Sequence, residues 1–171
     1  MMSFYVVIRG PLGAGKSVVS HRLAEAIRAS YISVDVILEA ENLEQWDEDK
    51  GCISEESFLR ANRFIGTRAQ ASLHGGIPAV IDGNFYWRSA IEDLLFRLPF
   101  PHLVVTLRAP LSVCIARDAR RDPSHGREAT RQVYARTTSF EYGTTVDATV
   151  AIGSVVSSIL KELRRNGMRG I

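Results

Sequence analysis

Five short apolar runs alternate along this chain with segments whose apolar residues recur at helical spacing. The runs cover residues 4–8, 31–34, 77–81, 102–107 and 148–152. Runs without regular polar alternation are typical of strands in a parallel sheet that helices cover on both faces. The pattern therefore predicts an α/β fold with three layers, in which right-handed helical crossovers connect five parallel strands.

Length and composition indicate one folded domain over 1–171. A chain of 171 residues is long enough to bury its own core. Hydrophobic residues make up 46% of the chain and charged residues 23%, which argues against disordered and fibrous classes. Two cysteines are too few for a disulfide framework, no apolar run reaches the roughly 18 residues of a membrane span, and the start of the chain lacks signal-peptide features. We therefore expect a cytoplasmic protein without a membrane partner.

A glycine-rich segment follows the first apolar run. Gly10-Pro11-Leu12-Gly13-Ala14-Gly15-Lys16-Ser17 matches the pattern GxxxxGK[ST] in full, and a helical pattern begins directly after it. Small residues let backbone N–H groups converge on phosphates at the positive end of a helix, while the lysine reaches the β- and γ-phosphates and the serine binds Mg²⁺. The segment therefore predicts binding of a nucleoside triphosphate with Mg²⁺. The predicted nucleotide-binding residues are Gly10, Leu12, Gly13, Ala14, Gly15, Lys16, Ser17 and Val18.

Two aspartates that follow predicted strands are candidates for the chemistry. Ligands of parallel sheets bind beyond the carboxyl ends of the strands, where Asp35 and Asp82 are expected. Asp82 is predicted to hold Mg²⁺ directly or through water, and its alternative role is a turn or a helix cap. Asp35 is predicted to accept the proton of an attacking hydroxyl as a general base, with the capping of a helix that starts at Val36 as the alternative.

Arginines are concentrated in one part of the chain. Between 108 and 136 there are seven arginines against three carboxylates. Arg117, Arg120 and Arg121 have the spacing of one helix face, where cationic side chains can stabilise charge on a transferring phosphoryl group. The Pro- and Gly-containing tip at 123–126 is typical of a mobile loop. A solvated basic face is the alternative, and nucleic-acid binding is not expected because the segment is short and has few aromatic residues.

Taken together, these segments resemble the small P-loop kinases, a group that includes adenylate, shikimate and gluconate kinases, chloramphenicol phosphotransferases and zeta-toxin-like kinases. The resemblance lies in the loop at 10–17, in Asp35, in the Val80-Ile81-Asp82-Gly83-Asn84-Phe85 segment and in the arginine cluster. It implies a five-stranded sheet in the order 2-3-1-4-5. It also implies an acceptor-side flap at about 36–60 and an arginine-rich lid at about 117–131.

The resemblance further implies roles for individual residues. The expected catalytic residues are Lys16, Asp35, Arg117 and Arg121. The expected nucleotide contacts from the lid are Arg117 and Arg120. The expected Mg²⁺ ligands are Ser17 and Asp82. The expected contacts of the acceptor are Asp35, Arg60, Asn84 and Arg88.

An acidic segment bears on the nature of the acceptor. Residues 39–56 carry eight carboxylates and one lysine, for a net charge of −7. Such a segment repels a phosphorylated acceptor and tolerates a neutral or cationic one. Arg60, Arg63 and Arg68 follow it closely, however, and can still bind an anion. The chain has Val34-Asp35-Val36 where shikimate kinases are expected to carry an Asp-x-Asp pair, so a shikimate kinase is disfavoured.

The sequence therefore predicts an ATP-dependent phosphotransferase that moves the γ-phosphoryl group of Mg·ATP to a hydroxyl of a small, unphosphorylated molecule. An enzyme like the nucleoside monophosphate kinases remains an alternative, as does a non-catalytic nucleotide-binding module or switch. A small GTPase is disfavoured because the chain has no Asn/Thr-Lys-x-Asp guanine motif. The expected partners are ATP and a small-molecule acceptor.

Overall fold

The first apolar run of the chain forms the centre of a parallel sheet. The structure is a computed structural model that describes residues 3–168. In it, β1 (Tyr5–Arg9) is buried along its whole length and pairs in parallel with one strand on each side. Because helices also cover both of its faces, the strand places apolar side chains on both sides, which explains the absence of polar alternation up to Ile8.

The described residues form six further strands, namely β2 (Ser30–Ser33), β3 (Trp46–Asp47), β4 (Cys52–Ile53), β5 (Ala79–Asp82), β6 (His102–Arg108) and β7 (Thr144–Asp147). The parallel sheet has the order β2-β5-β1-β6-β7, while β3 and β4 form a separate antiparallel hairpin. These labels differ from the predicted 2-3-1-4-5 because the hairpin was not predicted and takes two numbers. Counted without the hairpin, the five strands lie side by side as 2-3-1-4-5, and the predicted α/β fold is confirmed.

Helices cover the sheet on two sides. They are α1 (Lys16–Ile27), α2 (Val34–Ala40), α3 (Glu55–His74), α4 (Arg88–Arg97), α5 (Leu111–Asp118), α6 (Arg127–Thr137) and α7 (Ile152–Arg165). Val6 and Ile8 of β1 belong to a core with α1 and α7, whereas Tyr5 and Val7 belong to a core with α2, α3 and α4. Alternate strand residues therefore build two separate cores. None of the helices within residues 3–168 has the length and apolar character needed to cross a membrane.

The last strand was predicted at the wrong position. It is β7 at Thr144–Asp147, and the apolar run at 148–152 forms a turn and the start of α7. β7 lies at the sheet edge and, among the described residues, pairs only with β6, so a strand with one buried residue, Val146, is sufficient there. Three of its four residues are β-branched, which favours an extended backbone over the helix that follows.

Asp35 also differs from its predicted place at the end of a strand. The strand β2 ends at Ser33, whose hydroxyl caps α2 by accepting a hydrogen bond from the Val36 N–H at 3.3 Å. Asp35 therefore lies in the first turn of α2 and not at the end of the strand. The helix cap that the sequence suggested exists, but Ser33 supplies it.

Candidate active site

The phosphate loop connects β1 to α1 and is shaped by close backbone contacts. Gly13 has a φ of +76°, and a Cβ at this position would lie 2.2 Å from the carbonyl oxygen of Cys114 in α5. A Cβ at Gly10 would lie 2.7 Å from the carbonyl oxygen of Leu107 in β6. Only glycine fits at these two positions, and the loop can therefore turn tightly against β6 and α5. It ends at the N-terminus of α1, where free backbone N–H groups favour an anion.

Lys16 opens α1 and has only 8% of its surface exposed. Its Nζ donates a hydrogen bond to the carbonyl oxygen of Pro11 at 3.0 Å. Burial lowers the pKa of Lys16, while the carboxylates of Asp82 and Asp35 act against that shift. Within residues 3–168 no carboxylate lies in ion-pair contact with the ammonium group. A phosphate group bound by the loop would supply the counter-charge.

Asp82 ends β5 next to the phosphate loop and is 4% exposed. Its Oδ2 accepts a hydrogen bond from the Tyr31 hydroxyl at 2.9 Å, whereas its Oδ1 is buried without a partner among the described residues. A buried carboxylate oxygen without a donor is unfavourable unless a ligand or water satisfies it. Together with the Ser17 hydroxyl, this oxygen fits Mg²⁺, which is bound by one or two protein ligands, several waters and substrate phosphates.

Tyr31 fixes the orientation of the Asp82 carboxylate. Burial raises the pKa of Tyr31 to about 12, and the negative charge of Asp82 adds to that shift. The phenol therefore stays protonated at neutral pH and donates to Asp82. Residues 3–168 contain no group of three or more His, Cys, Asp or Glu side chains that could hold a metal by themselves. A metal ion at this point would therefore need ligands from a bound molecule as well as from the protein.

Asp35 faces the same cleft from α2. The residue has solvent-accessible surface, but many protein atoms lie around its carboxyl group. Burial raises the pKa of Asp35; Lys16 opposes this shift and Asp82 adds to it. A carboxylate with a raised pKa is a stronger base than an ordinary one. Asp35, Asp82 and Lys16 are thus near enough for the charge of each to affect the pKa of another.

The phosphate loop lines a cleft of about 340 Å³ together with two arginines of the segment at 117–121. The lining residues are Gly13, Gly15, Lys16, Ser17, Val18, Arg117 and Arg121. An adjoining cleft of about 230 Å³ shares Gly15, Val18 and Arg117 with it and is otherwise apolar. Its remaining lining residues are Ala14, Val19, Ala148, Val150, Ile152 and Val155. A cationic cleft that continues into an apolar slot suits a phosphate chain attached to a flat ring.

The predicted arginine face forms only in part. Because α5 ends at Asp118, Arg117 is helical whereas Arg120 and Arg121 lie in the turns that follow. Arg117 and Arg121 line the phosphate cleft, but Arg120 is exposed and is not among the lining residues. The expectation that all three share one helix face is therefore wrong, because the helix stops before the second of them. A nucleotide contact through Arg120 stays a prediction.

The predicted acceptor contacts other than Asp35 lie on α3, on α4 and in the loop after β5. Asn84 is buried just after β5, where its amide nitrogen donates to the Tyr86 hydroxyl at 3.2 Å and its Oδ1 has no partner among the described residues. Arg60 is exposed on α3. Arg88, at the start of α4, donates to the carbonyl oxygen of Glu141 at 3.1 Å. Of these three, Asn84 alone keeps a buried polar atom available, and contacts of an acceptor with all three stay predictions.

The hairpin β3–β4 carries part of the acidic segment and contacts α6. Arg136 of α6 donates from Nε to the carbonyl oxygen of Lys50 at 3.1 Å, and its guanidinium carbon lies 5.5 Å from the centre of the Trp87 ring. Trp87 in turn donates from Nε1 to the carbonyl oxygen of Ile53 at 3.2 Å. Arg136 and Trp87 therefore connect the β3–β4 hairpin to α6.

A larger cleft of about 820 Å³ lies between α6 and the ends of β6 and β7. Arg108, Tyr134 and Asp147 are among its lining residues, and Pro11 is its single residue from the phosphate loop. This larger cleft lacks the glycine-rich turn and the first residues of α1, both of which line the cleft of about 340 Å³.

Sequence reasoning missed Tyr31, which it treated only as part of a strand. Tyr31 and Ser33 are two residues apart in β2, so their side chains point to the same side of the sheet. The register pairs Ser33 with Asp82, so this side is the one that faces Lys16. The register depends on pairing between β2 and β5, which are 45 or more residues apart, and no local signal in the sequence reveals it.

Comparison with known proteins gives a family and a set of folds. The model of a family described as "AAA domain" matches residues 6–141, well over half of the chain. None of the curated proteins matches the sequence.

Three solved structures illustrate the likeness of fold. A gluconokinase from Sinorhizobium meliloti 1021 is 22% identical, has a TM-score of 0.74 and covers 96% of this chain and 93% of its own. A sugar kinase from Janibacter sp. HTCC2649 is 18% identical, has a TM-score of 0.76 and covers 95% of both chains. An APS kinase from Mycobacterium tuberculosis, solved with AMPPNP and APS, is 14% identical, has a TM-score of 0.75 and covers 95% and 98%. The predicted resemblance to the small P-loop kinases is confirmed for the fold.

Proposed function

The chain belongs to the AAA domain family, and from that premise we propose that it is a kinase. It transfers the γ-phosphoryl group of Mg·ATP to a hydroxyl of a small, unphosphorylated molecule. The observation that carries this proposal is the meeting of Lys16, Asp35 and Asp82 at the carboxyl ends of the strands, where each carboxylate acts on the pKa of Lys16. A cation for phosphate, a carboxylate for metal and a carboxylate for a hydroxyl proton are the groups that phosphoryl transfer requires.

The two adjoining clefts support ATP as the phosphoryl donor. We assign the phosphate chain to the cleft of Gly13, Lys16 and Ser17, and the nucleobase to the apolar slot that Val150 helps to line. Arg117 lines both clefts, and a guanidinium can stack on a flat ring while it lies near the phosphates. The M. tuberculosis APS kinase, which has the same fold, was solved with the ATP analogue AMPPNP.

The proposed reaction is an in-line displacement at the γ-phosphorus. The acceptor oxygen forms a bond to phosphorus, the bond from phosphorus to the β,γ-bridging oxygen breaks, and the hydroxyl proton passes to Asp35. Lys16, Arg117 and Arg121 stabilise the negative charge on the transferring group and on ADP. Ser17 and Asp82 would hold Mg²⁺, and a metal ion there would supply positive charge next to the phosphates.

The acceptor side favours a molecule without a phosphate group. Glu44, close to the acidic hairpin, adds to the raised pKa values of Asp35 and of Tyr86, so a third carboxylate acts on this side of the cleft. Arg88 donates a hydrogen bond to the carbonyl oxygen of Glu141, and Arg60 is exposed on α3. An anionic acceptor would therefore meet carboxylates before it meets a free arginine, whereas a neutral or cationic hydroxyl compound would not be repelled.

Two substitutions separate ATP binding from phosphoryl transfer. Asp35→Ala should bind ATP with a Kd within about twofold of the wild type and lose about 100-fold or more in acceptor-stimulated ADP release, the range for loss of a general base. Lys16→Ala should weaken ATP binding by about 10-fold or more, since it removes the cation of the phosphate loop. Calorimetric titration with ATP and a coupled ADP assay give the two quantities.

Lys161→Ala is the matched control, since Lys161 is exposed on α7, and it should behave as the wild type. Wild-type ATP affinity in Lys16→Ala would overturn the phosphate-loop assignment. A wild-type transfer rate in Asp35→Ala would exclude Asp35 as the base. ATP binding without stimulation by any acceptor would favour the alternative of a non-catalytic nucleotide-binding module.

A further inference from the structure

Asp118 is the last residue of α5, and its carboxylate is covered by the loop that follows it. Only 1% of the residue is exposed. Its Oδ2 accepts hydrogen bonds from the Ser124 hydroxyl at 2.7 Å and from the backbone N–H groups of His125 and Gly126 at 3.0 and 3.1 Å. Its Oδ1 lies 2.8 Å from Nδ1 of His125. One side chain therefore binds the tip of the loop and the residue that precedes α6.

These hydrogen bonds keep Asp118 ionised. Burial by itself raises the pKa of Asp118, but the hydrogen bonds from Ser124 and His125 outweigh burial and lower that pKa below its usual range. Hydrogen bonds to an ionised acceptor are roughly twice as strong as those between neutral groups. The carboxylate is therefore a firm attachment point for the loop at neutral pH, although it lies near the surface of the molecule.

Two arginines next to Asp118, Arg117 and Arg121, line the phosphate cleft. Arg117 directly precedes Asp118, and the backbone N–H of Arg121 donates to the Asp118 carbonyl oxygen at 2.9 Å. Both arginine side chains line the cleft with Lys16 and Ser17. If the loop were held only at its ends, it would lose conformational entropy when Arg121 binds a phosphate. That loss of entropy would weaken the binding.

We propose that Asp118 is a positioning residue of the nucleotide site. It folds the loop at 122–126 back onto α5 and so holds Arg121 beside the phosphates before ATP binds. The role rests on the proposed function, because it requires that Arg121 contacts ATP. Asp118 itself touches neither ATP nor the acceptor and acts through the arginine.

Calorimetric titration of the full chain with ATP tests this role. Asp118→Asn keeps the size of the side chain but removes its charge and one of its two acceptor oxygens, and it should weaken the Kd for ATP about 10-fold. Arg121→Met should weaken it at least as much. The double variant should bind ATP no more weakly than Arg121→Met alone, because a residue that acts through Arg121 has no effect without it.

Two further variants make the test decisive. Asp122→Asn changes an exposed carboxylate of the same loop and should bind ATP as the wild type does. Ser124→Ala removes one donor to Asp118 from an exposed position, so it tests the role even if Asp118→Asn does not fold. It should weaken ATP binding severalfold in the wild-type background and not at all in the Arg121→Met background.

The outcomes for the two proposals are distinct. Losses of affinity that add in the double variants would overturn the positioning role, and so would wild-type affinity in both Asp118→Asn and Ser124→Ala. Either result leaves the kinase proposal standing. A wild-type chain that does not bind ATP would overturn the kinase proposal, and the role of Asp118 with it.

Discussion

The raised pKa of Asp35 favours its proposed role as a base but makes its ionised form unfavourable for folding. Because burial raises its pKa in the folded chain, the ionised carboxylate is less favourable in the folded state than in the unfolded one. The stabilising contribution of this group is complete below its unfolded pKa of about 3.9 and is lost as the pH rises through the higher folded value. At neutral pH the charge of Asp35 therefore destabilises the protein, while the same basicity would serve the proposed reaction.

The Asp35→Asn variant should be more stable than the wild type at pH 7 and should lose phosphoryl transfer. The gain in Tm should shrink as the pH falls toward 4, where the wild-type carboxyl becomes neutral as well. Thermal unfolding followed by circular dichroism at several pH values measures both effects. Glu39→Gln, at an exposed position of the same helix, is the control and should not raise the Tm. A Tm that falls at pH 7 would contradict the sign of the effect.

Tyr31 should contribute to Mg²⁺ binding through a single hydroxyl group. Tyr31→Phe removes the 2.9 Å hydrogen bond to Asp82 and leaves the carboxylate free to rotate. Loss of such a supporting hydrogen bond lowers metal affinity by about 10–100-fold. Paramagnetic resonance of Mn²⁺ bound to the ATP complex measures this affinity without reference to turnover. Tyr134→Phe on α6 is the control, and equal Mn²⁺ affinity in the two variants would show that Tyr31 does not support Asp82.

At the scale of elements, β1, the phosphate loop and α1 were predictable because their signals are local. The apolar run, the glycines and the lysine occupy neighbouring positions, and each has a physical reason to be where it is. Gly13 is an example, since its contact with Cys114 leaves no room for a side chain. The place of Asp82 at the end of a strand could also be predicted, because the apolar run stops there.

The remaining elements depend on contacts between distant parts of the chain. β7 is recognised by its pairing with β6 rather than by its own apolar content. The two-residue strands β3 and β4 carry no periodic signal, and contacts with Trp87 and Arg136 support the hairpin from other elements. α5 ends at Asp118, whose carboxylate accepts a hydrogen bond from Ser124 and lies beside Nδ1 of His125, and helical spacing alone gave a longer arginine face than the structure has.

Arg136 should hold the acidic hairpin against α6. The chain has three lysines, Lys16, Lys50 and Lys161, and Arg136 binds the carbonyl oxygen of Lys50. A protease that cleaves only after lysine should therefore cut Arg136→Ala at Lys50 severalfold faster than the wild type, because local opening exposes the peptide bond. Cleavage after Lys161 provides the reference within the same molecule.

Arg131→Ala, at an exposed position of α6, is the control for this experiment and should be cut at the wild-type rate. An unchanged rate at Lys50 in Arg136→Ala would mean that the hairpin is held by its other contacts, such as the hydrogen bond of Trp87 to Ile53.

For the molecule as a whole, Arg9 is a buried charge in the middle of the sheet. It is 0% exposed and donates to the Thr106 hydroxyl at 3.1 Å and to the Thr137 carbonyl oxygen at 2.6 Å. Burial, together with the positive charges of Arg108 and Arg88, lowers its pKa to about 10. No carboxylate pairs with it among residues 3–168. Such a charge contributes little net stability.

Arg9→Met should therefore leave the free energy of unfolding unchanged or raise it by about 1–4 kcal/mol, the range measured when buried ion pairs are replaced by apolar residues of similar volume. Arg9→Ala should lower it by about 2–5 kcal/mol, because it leaves a cavity between β1, β6 and α6. Urea unfolding measures both variants. A loss in Arg9→Met as large as that in Arg9→Ala would show that the hydrogen bonds of Arg9 hold the sheet and helix together.

Charge is divided across the whole molecule in the way that the proposed reaction requires. Residues 39–56 carry a net charge of −7, while Lys16, Arg117 and Arg121 line the phosphate cleft. A cationic side suits ATP and an acidic side suits an acceptor without phosphate. The total charge of +2 describes neither side.

The transfer itself is tested most directly by measuring phosphate monoester and ADP together. The chain is incubated with Mg·ATP and a panel of antibiotics, sugars, nucleosides and nucleoside monophosphates, and phosphorus NMR quantifies both products. We expect at least one unphosphorylated hydroxyl compound to yield one monoester for each ADP, and nucleoside monophosphates to yield no corresponding nucleoside diphosphate above background. Phosphorylation of nucleoside monophosphates alone, or ATP binding without any monoester, would contradict the proposed kinase.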